Sequence, residues 1–509
     1  MDRFRSLAAA LMACGIALIS TMANTATQRK PNIVFVLADD VGYGDLSCYG
    51  ARLVATPSLD ALARDGRLFT DAHSAASTCT PSRRALLTGV YSWRQKPGSA
   101  IMRGDAPLSI TTDSMTLPSM LKRAGYATGV VGKWHLGLGG PDGADWNGDI
   151  KPGPLELGFE YAFIIPGTGD RVPCVYVENH RVVGLDPADP IQVSYNNKVG
   201  EEPTGRERPD LTTMKSVEGH DGTIINGIGR IGWMSGGRAA RWKDEEMSDV
   251  ITSQAVRFME DNQARPFFLY FSTHNIHVPR VPHPRFRGRS QCGRRGDAIV
   301  ELDDSVGRIL DTLKRLKLEQ NTLVIFTSDN GGTAADGYAD DVASSHSFNG
   351  VLHGRKSSVW EGGHRVPFLA RWPGTIPAGS ECSELVTQLD MFRSFASMLE
   401  LDVPAGVAPD SCDVSGALLG KPHSTAGRTT FIAHNGGTDG PFGVRHENWK
   451  LVQPGVGRQP AKRAMDNGTS GTKLFNLATD LGEERDLAGE QPAKVAEMLR
   501  LLEEERADP

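Results

Sequence analysis

Cys79 and Arg83 stand four residues apart in Cys79-Thr80-Pro81-Ser82-Arg83-Arg84-Ala85-Leu86-Leu87-Thr88-Gly89, with a proline between them. The stretch reads as a loop running into a helix, because proline suits a first helical turn, where its missing N–H costs nothing. Cys79 would then sit where free backbone donors and the positive end of the helix dipole converge, a place that favours an anion. Taken alone, the segment fits an ordinary helix start with a half-buried cysteine equally well. Two more segments bring oxygen: Asp39-Asp40 closes an apolar run at 31–38, and Asp329-Asn330 follows another at 322–327. Singly, each pair could be solvated loop acids. If both runs are central parallel strands, Asp39, Asp40, Asp329 and Asn330 converge at one edge. Four hard oxygen donors without Cys or His suit Ca²⁺ or Mg²⁺ rather than zinc.

Basic groups recur at similar places. Residues 125–137 read as a short strand whose period of two puts Lys133 and His135 on one face, a pair suited to holding an anion and moving a proton. His274 and His277 follow the apolar run at 266–271; either would serve as a packed core histidine as readily as a site residue. Asp170 and Arg171 occupy a tight turn, as a local ion pair or as a grip on hydroxyl groups. Lys356 lies just before Trp360-Glu361-Gly362-Gly363.

The elements that must position these groups follow from hydrophobic pattern. The runs at 31–38, 266–271 and 322–327 are nearly continuous and apolar, as strands of a parallel sheet covered on both faces are, and open α/β sheets place ligands at the carboxyl ends of such strands. Helices are expected near 56–66, 117–123, 247–262 and 388–399, with a further helical stripe through Ile299, Leu302, Val306, Ile309, Leu310 and Leu313. From about 140 to 243 the pattern loosens into Gly, Pro and charged residues, read as an insertion that shapes a pocket. Beyond 403 the runs shorten into a small antiparallel sheet and an amphipathic terminal helix at 492–506; no comparable convergence of polar groups is expected there. The expected fold is α/β, a large mostly parallel sheet flanked by helices in residues 27–402, with a C-terminal subdomain at 403–509.

The 509 residues are 39% hydrophobic and 23% charged, an ordinary globular composition, and the net charge of -6 argues against a nucleic-acid footprint. Arg3 and Arg5, then an apolar run from Leu7 to Ile19, then small residues to Ala26, match a secretory signal over residues 1–26. The run is shorter than the roughly 20 residues a spanning helix needs; a membrane anchor is the alternative, and no later segment is long and apolar enough to span. A secreted or periplasmic protein is expected. Seven cysteines without C-x-x-C spacing exclude a zinc cluster and a dense disulfide framework, leaving room for one or two bridges.

With these residues assembled, the chain resembles the formylglycine-dependent sulfatases of the alkaline-phosphatase-like superfamily over nearly all of its mature length. Cys79-Thr80-Pro81-Ser82-Arg83 with Leu87-Thr88-Gly89, and Gly125-Tyr126 through Gly132-Lys133-Trp134-His135, are similar to the family's two signatures. The resemblance implies that a maturation enzyme oxidises Cys79 to formylglycine, whose hydrate has one hydroxyl to attack sulfur and a second to expel sulfate afterwards. It implies Asp39, Asp40, Asp329 and Asn330, with residue 79, as calcium ligands; Lys133, His277 and Lys356 on the sulfate; His135 as proton acceptor; and Arg83 holding the hydrate and its loop. Thr273-His274-Asn275-Ile276-His277-Val278-Pro279 and Gly169-Asp170-Arg171-Val172-Pro173 are similar to bacterial carbohydrate sulfatases. That implies a sulfated carbohydrate substrate, a 6-O-sulfate of galactose or N-acetylgalactosamine, contacted by Asp170 and Arg171; His274, close in sequence to His277, could contact the leaving group, with no family role carried onto it. A 3-O-sulfate of the same sugars, or a phosphomonoester or phosphonate hydrolase on the same fold, is the alternative.

Overall fold

The computed structural model describes residues 30–94, 101–334, 336–339, 345–421, 427–436, 440–453 and 471–507; the expected signal peptide and Cys14 lie outside the described residues. The strand Asn32–Ala38 is buried throughout. Ile33, Phe35 and Leu37 join one hydrophobic cluster, whereas Val34, Val36 and Ala38 join another. Alternate side chains thus enter separate cores, which is why the strand is apolar without interruption. It pairs in parallel with Phe267–Ser272 on one side and Thr322–Ser328 on the other. Ala127–Lys133 and then Tyr161–Ile165 extend the parallel set. Antiparallel neighbours Phe368–Arg371 and Val177–Glu178 lie beyond it in a sheet of ten strands.

Helices cover both faces. Leu86 and Leu87 of the Cys79–Thr88 helix and Leu117, Met120 and Leu121 of Leu117–Arg123 pack on one. Leu59 and Leu62 of Pro57–Arg64, with the apolar stripes of Met247–Asp261 and Gly293–Arg315, pack on the other. Tyr161–Ile165 corrects the sequence reading: it lies inside the stretch taken as a pocket-shaping insertion, yet pairs with Ala127–Lys133 as part of the main sheet. Its five residues follow a glycine-rich stretch and give little periodic signal; the sheet, not local pattern, defines it. Val177–Glu178 and Arg181–Val182 from the same stretch extend that sheet's edge, and the stretch also forms separate short antiparallel pairs, Gln192–Ser194 with Trp233–Ser235 and Ile224–Ile225 with Ile228–Gly229.

Thr430–His434, Phe442–His446, Trp449–Gln453 and Lys473–Asn476 make a four-stranded antiparallel sheet. The terminal helix Pro492–Ala507 buries Met498 and Leu502 in a cluster that also holds Ala75, Ala85, Val359 and Trp360. The small sheet therefore packs directly behind the segments carrying Cys79 and Lys356. Among the described residues no helix is long and apolar enough to cross a membrane, and the six described cysteines are free.

Register decides where the polar residues emerge. Ala38 faces Ser328, Leu37 faces Ser272, and Ser272 faces Gly132, so Asp39, Asp329, Thr273 and Lys133 leave the sheet side by side. Gly132 makes this approach possible: its φ is +108°, and a Cβ there would lie 1.9 Å from the Ser272 carbonyl oxygen. Gly132→Ala should cost roughly 3 kcal/mol through backbone strain and overpacking, measured as a fall in the thermal unfolding midpoint. An unchanged midpoint would show that this close approach is not what holds Lys133.

Candidate active site

Cys79 opens its helix directly after Thr78, with Pro81 in the first turn, as the sequence suggests. Arg83 lies one turn on and is fully buried. Its Nε donates to Asp329 Oδ2 at 2.9 Å, its Nη2 lies 2.8 Å from the same oxygen as an ion pair, and its Nη1 reaches the Lys133 carbonyl and Ser272 Oγ. A single guanidinium thus ties the Cys79 helix to the ends of three strands. Lys133 Nζ lies 2.7 Å from both oxygens of Asp39. Lys356 Nζ lies 2.9 Å from Asp40 Oδ2 and 3.0 Å from Asp336 Oδ2. Asp39 is further fixed by its backbone, which donates to the Asn275 carbonyl and accepts from Ile276 N–H.

The electrostatics follow from burial opposed by partners. Burial pushes the Asp39 carboxyl up to about 6 against the pull of Lys133. Asp40 is equally buried, but Lys356, His277 and Lys133 outweigh burial and hold it far below the usual carboxylate range. Asn330 Nδ2 donates to Asp40 Oδ1 at 2.8 Å, while its Oδ1 is buried with no hydrogen-bond partner. An orphaned acceptor beside buried carboxylates is what a missing cation would leave, and Asp39, Asp40 and His277 offer ligand atoms within 4.8 Å of one another. The donor set fits a hard cation such as calcium.

Cys79 departs from the expectation drawn from its helix. Burial pushes its thiol up, and Lys133 and Lys356 offset this only in part. The helix start favours an anion, but an unmodified cysteine here stays a protonated thiol and a weak nucleophile.

The histidines separate clearly. His277 Nδ1 donates to the Val278 carbonyl at 2.7 Å, which turns Nε2 toward Asp40, 3.9 Å away. His135 lies beyond its expected strand, which ends at Lys133; at φ +56° it has left the pleat, so the two-residue period does not reach it. Its Nε2 lies 3.0 Å from the Met102 carbonyl, which can only accept, so Nε2 carries the hydrogen and the buried, unpartnered Nδ1 is free to take a proton. Burial, then Lys133 and Arg171, holds His135 well below its usual value, as a neutral ring. His274 lies apart, with Nε2 3.0 Å from Ser248 Oγ and its pKa pushed down to about 4 by burial.

Asp170 and Arg171 pair at 2.8 Å, and Asp170 is 1% exposed. Burial raises the Asp170 carboxyl, but Arg171, His277 and His220 together hold it well below its usual range. His220, with Nε2 3.4 Å from Asp170 Oδ2, and Asp336 on Lys356 are members that sequence reasoning missed. Both come from irregular segments with no period to mark them; Asp336, six residues after Asn330, was the more findable. The C-terminal unit also corrects its reading: Lys450, Arg445 and Glu483 bring buried charges to the rear of the site.

Comparison with known proteins gives this geometry its context. The family described as Sulfatase matches residues 31–401. An N-acetylgalactosamine-6-O-sulfatase of Bacteroides thetaiotaomicron is 46% identical over 488 residues, covering 94% of each chain. Human arylsulfatase A is 33% identical, covering 96% of this chain and 89% of its own. A solved Bacteroides thetaiotaomicron chain, from a study of glycosaminoglycan metabolism, superposes with a TM-score of 0.91 at 46% identity, covering 94% of this chain and 100% of its own. The matched region takes in the whole central sheet and each carboxylate–cation pair at its edge, so the chain belongs to the sulfatase family and is a sulfuric ester hydrolase.

Proposed function

We propose that this enzyme removes a 6-O-sulfate from galactose or N-acetylgalactosamine, using residue 79 as formylglycine and one Ca²⁺. The observation that carries the chemistry is the set of groups gathered on the buried carboxylates beyond the Cys79 helix start: Lys133 on Asp39, Lys356 on Asp40 with His277 Nε2 beside it, and Arg83 on Asp329. Support for the sugar is the 46% identity to an N-acetylgalactosamine-6-O-sulfatase along almost the whole chain. Export by a signal over residues 1–26, maturation by an oxidising enzyme acting on Cys-x-Pro-x-Arg, and the division at residue 403 belong to the same proposal.

Asp39, Asp40, Asp329 and Asn330 would hold the ion, which supplies positive charge to sulfate and acidifies a hydroxyl on residue 79. Oxidised and hydrated, residue 79 would supply one hydroxyl to bond to sulfur as the bond from sulfur to the sugar oxygen breaks, and a second whose loss of a proton would release sulfate and restore the aldehyde. The remaining work falls to side chains already in place. Lys133 and Lys356 neutralise sulfate oxygens as charge builds on them. His277 Nε2 or the Lys356 ammonium protonates the departing sugar oxygen. His135 Nδ1 takes the proton given up when sulfate leaves, and its neutral state suits that task. Arg83 keeps residue 79 in line with Asp329. Asp170 and Arg171 would grip hydroxyls next to the sulfated carbon, with His274 further out.

Three measurements test this. Cys79→Ala should abolish turnover while leaving the thermal midpoint close to wild type, and peptide mass analysis of active protein should find formylglycine at residue 79; full activity with unmodified cysteine there would end the reading. Chelation of calcium should remove activity and added Ca²⁺ restore it, whereas indifference to chelation would count against the four-oxygen site. Sulfate release from a panel of sulfated sugars should be fastest for the 6-O-sulfates; faster release from 3-O-sulfates would move the regiochemistry, and faster cleavage of phosphate esters would overturn the sulfatase chemistry proposed for this site.

A further inference from the structure

Behind the active site lies a buried group of polar side chains that the chemistry above leaves unused. His73, Glu361 and His364 offer ligand atoms within 4.8 Å of one another, and all three are buried, a constellation of the kind that holds a transition metal. An ammonium already occupies it. Lys450 Nζ, from the C-terminal sheet, donates to Glu361 Oε1 at 2.8 Å and to His364 Nε2 at 3.0 Å, and lies 3.2 Å from Glu483 Oε1. The Lys450 side chain is 0% exposed.

One proton arrangement carries hydrogen bonds from Lys450 through to Asp71, leaving the Val359 carbonyl, 3.2 Å from His364 Nε2, unbonded to that ring. Asp71 is clamped by Arg365 at 3.3 Å and Arg445 at 2.9 Å, so it is a carboxylate that can only accept. His73 Nε2 therefore donates to it, at 2.8 Å, leaving His73 Nδ1 to accept from His364 Nδ1–H at 2.9 Å. His364 Nε2 is left as the acceptor for Lys450. Both rings are neutral in this arrangement, in keeping with burial pushing their pKa values down. The donors run in one direction, from Lys450 through His364 and His73 to Asp71.

The backbone at and beside this group is fastened to segments of the active site. Ser74 N–H, directly after His73, donates to the His364 carbonyl at 2.8 Å. Ser77 N–H, two residues before Cys79, donates to the His434 carbonyl on the C-terminal sheet at 2.8 Å, and the Ser77 carbonyl accepts from Ser357 N–H at 2.7 Å. Glu361 N–H donates to Glu483 Oε2 at 2.7 Å. Gly331 N–H, next to Asn330, donates to the Gly363 carbonyl at 2.9 Å. The residues before Cys79, around Lys356 and after Asn330 thus rest on one support, with Lys450 bonded at its centre.

We propose that Lys450 is a positioning residue for sulfate ester hydrolysis: standing where a metal ion would, its ammonium holds the segments of Cys79 and Lys356 in register from the C-terminal sheet. It touches no reacting atom and acts through Glu361 and His364. The sugar-contacting turn at Asp170 and Arg171 is not part of this support.

The test compares full-length wild type with Lys450→Met and with the charge-neutral pair Lys450→Met/Glu483→Gln, each normalised to its formylglycine content by peptide mass. Lys450→Met should lower kcat at least tenfold with KM within about threefold of wild type, a split that general loosening of the fold would not produce. Because Lys450→Met strands the buried Glu483 carboxylate, 3.2 Å from the ammonium, it can fail to fold; the neutral pair removes that charge and decides the matter. A folded pair with kcat reduced tenfold at near-normal KM supports the positioning role. A folded pair with wild-type kcat, or one in which kcat and KM deteriorate together, overturns it.

Discussion

Asp39, Asp40 and Asp329 are 0–1% exposed at the ends of two adjacent strands. A buried charge without a partner costs several kcal/mol, and removing one partner of a buried pair typically costs about 3–5 kcal/mol. Each carboxylate is accordingly matched: Lys133 on Asp39, Lys356 on Asp40 and Arg83 on Asp329. The rest of the site depends on this matching, because the three cations arrive from three different places, a strand end, a loop and a helix. Satisfying the charges and assembling the site are one event. Strength of pairing is not the whole purpose, since buried ion pairs are poor sources of net stability; their value here is that only one arrangement of the segments leaves no charge alone.

How much of this could be read in advance depends on the range of the interaction. Asn32–Ala38 and Thr322–Ser328 announce themselves because burial on both faces forces an uninterrupted apolar run, and the polar pairs at their ends stand out against it. The Cys79 helix is equally legible, with Pro81 in its first turn and Gly89 left-handed at its end. His135 shows the limit: period-two reasoning holds only while the backbone stays extended, and the chain leaves that conformation at the residue in question. His220 and Lys450 are beyond local reading altogether. His220 joins Asp170 across 50 residues and Lys450 joins His364 across 86, and a contact of that span leaves no spacing in the sequence. Tyr161–Ile165 failed for a related reason, since its identity as a strand comes from its neighbour in the sheet.

The state of Cys79 makes the two levels agree. Motif and fold both place it at a helix start among cations, yet burial keeps a thiol there protonated. A site built to stabilise oxygen anions is poorly used by a sulfur that will not ionise, whereas a hydrated aldehyde at the same position has hydroxyl groups for those cations to act on. The mismatch between residue and surroundings is in keeping with the modification proposed for residue 79.

The bond from Ser77 to His434 has a consequence in time rather than space. The partners that lock the Cys79 segment are Asp329, Ser357, His434 and, through His73 and His364, Lys450. All of them lie far downstream, and a ribosome adding about 5–20 residues per second delivers the last of them tens of seconds after Cys79. During synthesis the segment around Cys79 is therefore chain without its downstream partners for that interval. The order in which the polypeptide is written sets how long this segment waits before the fold can fix it.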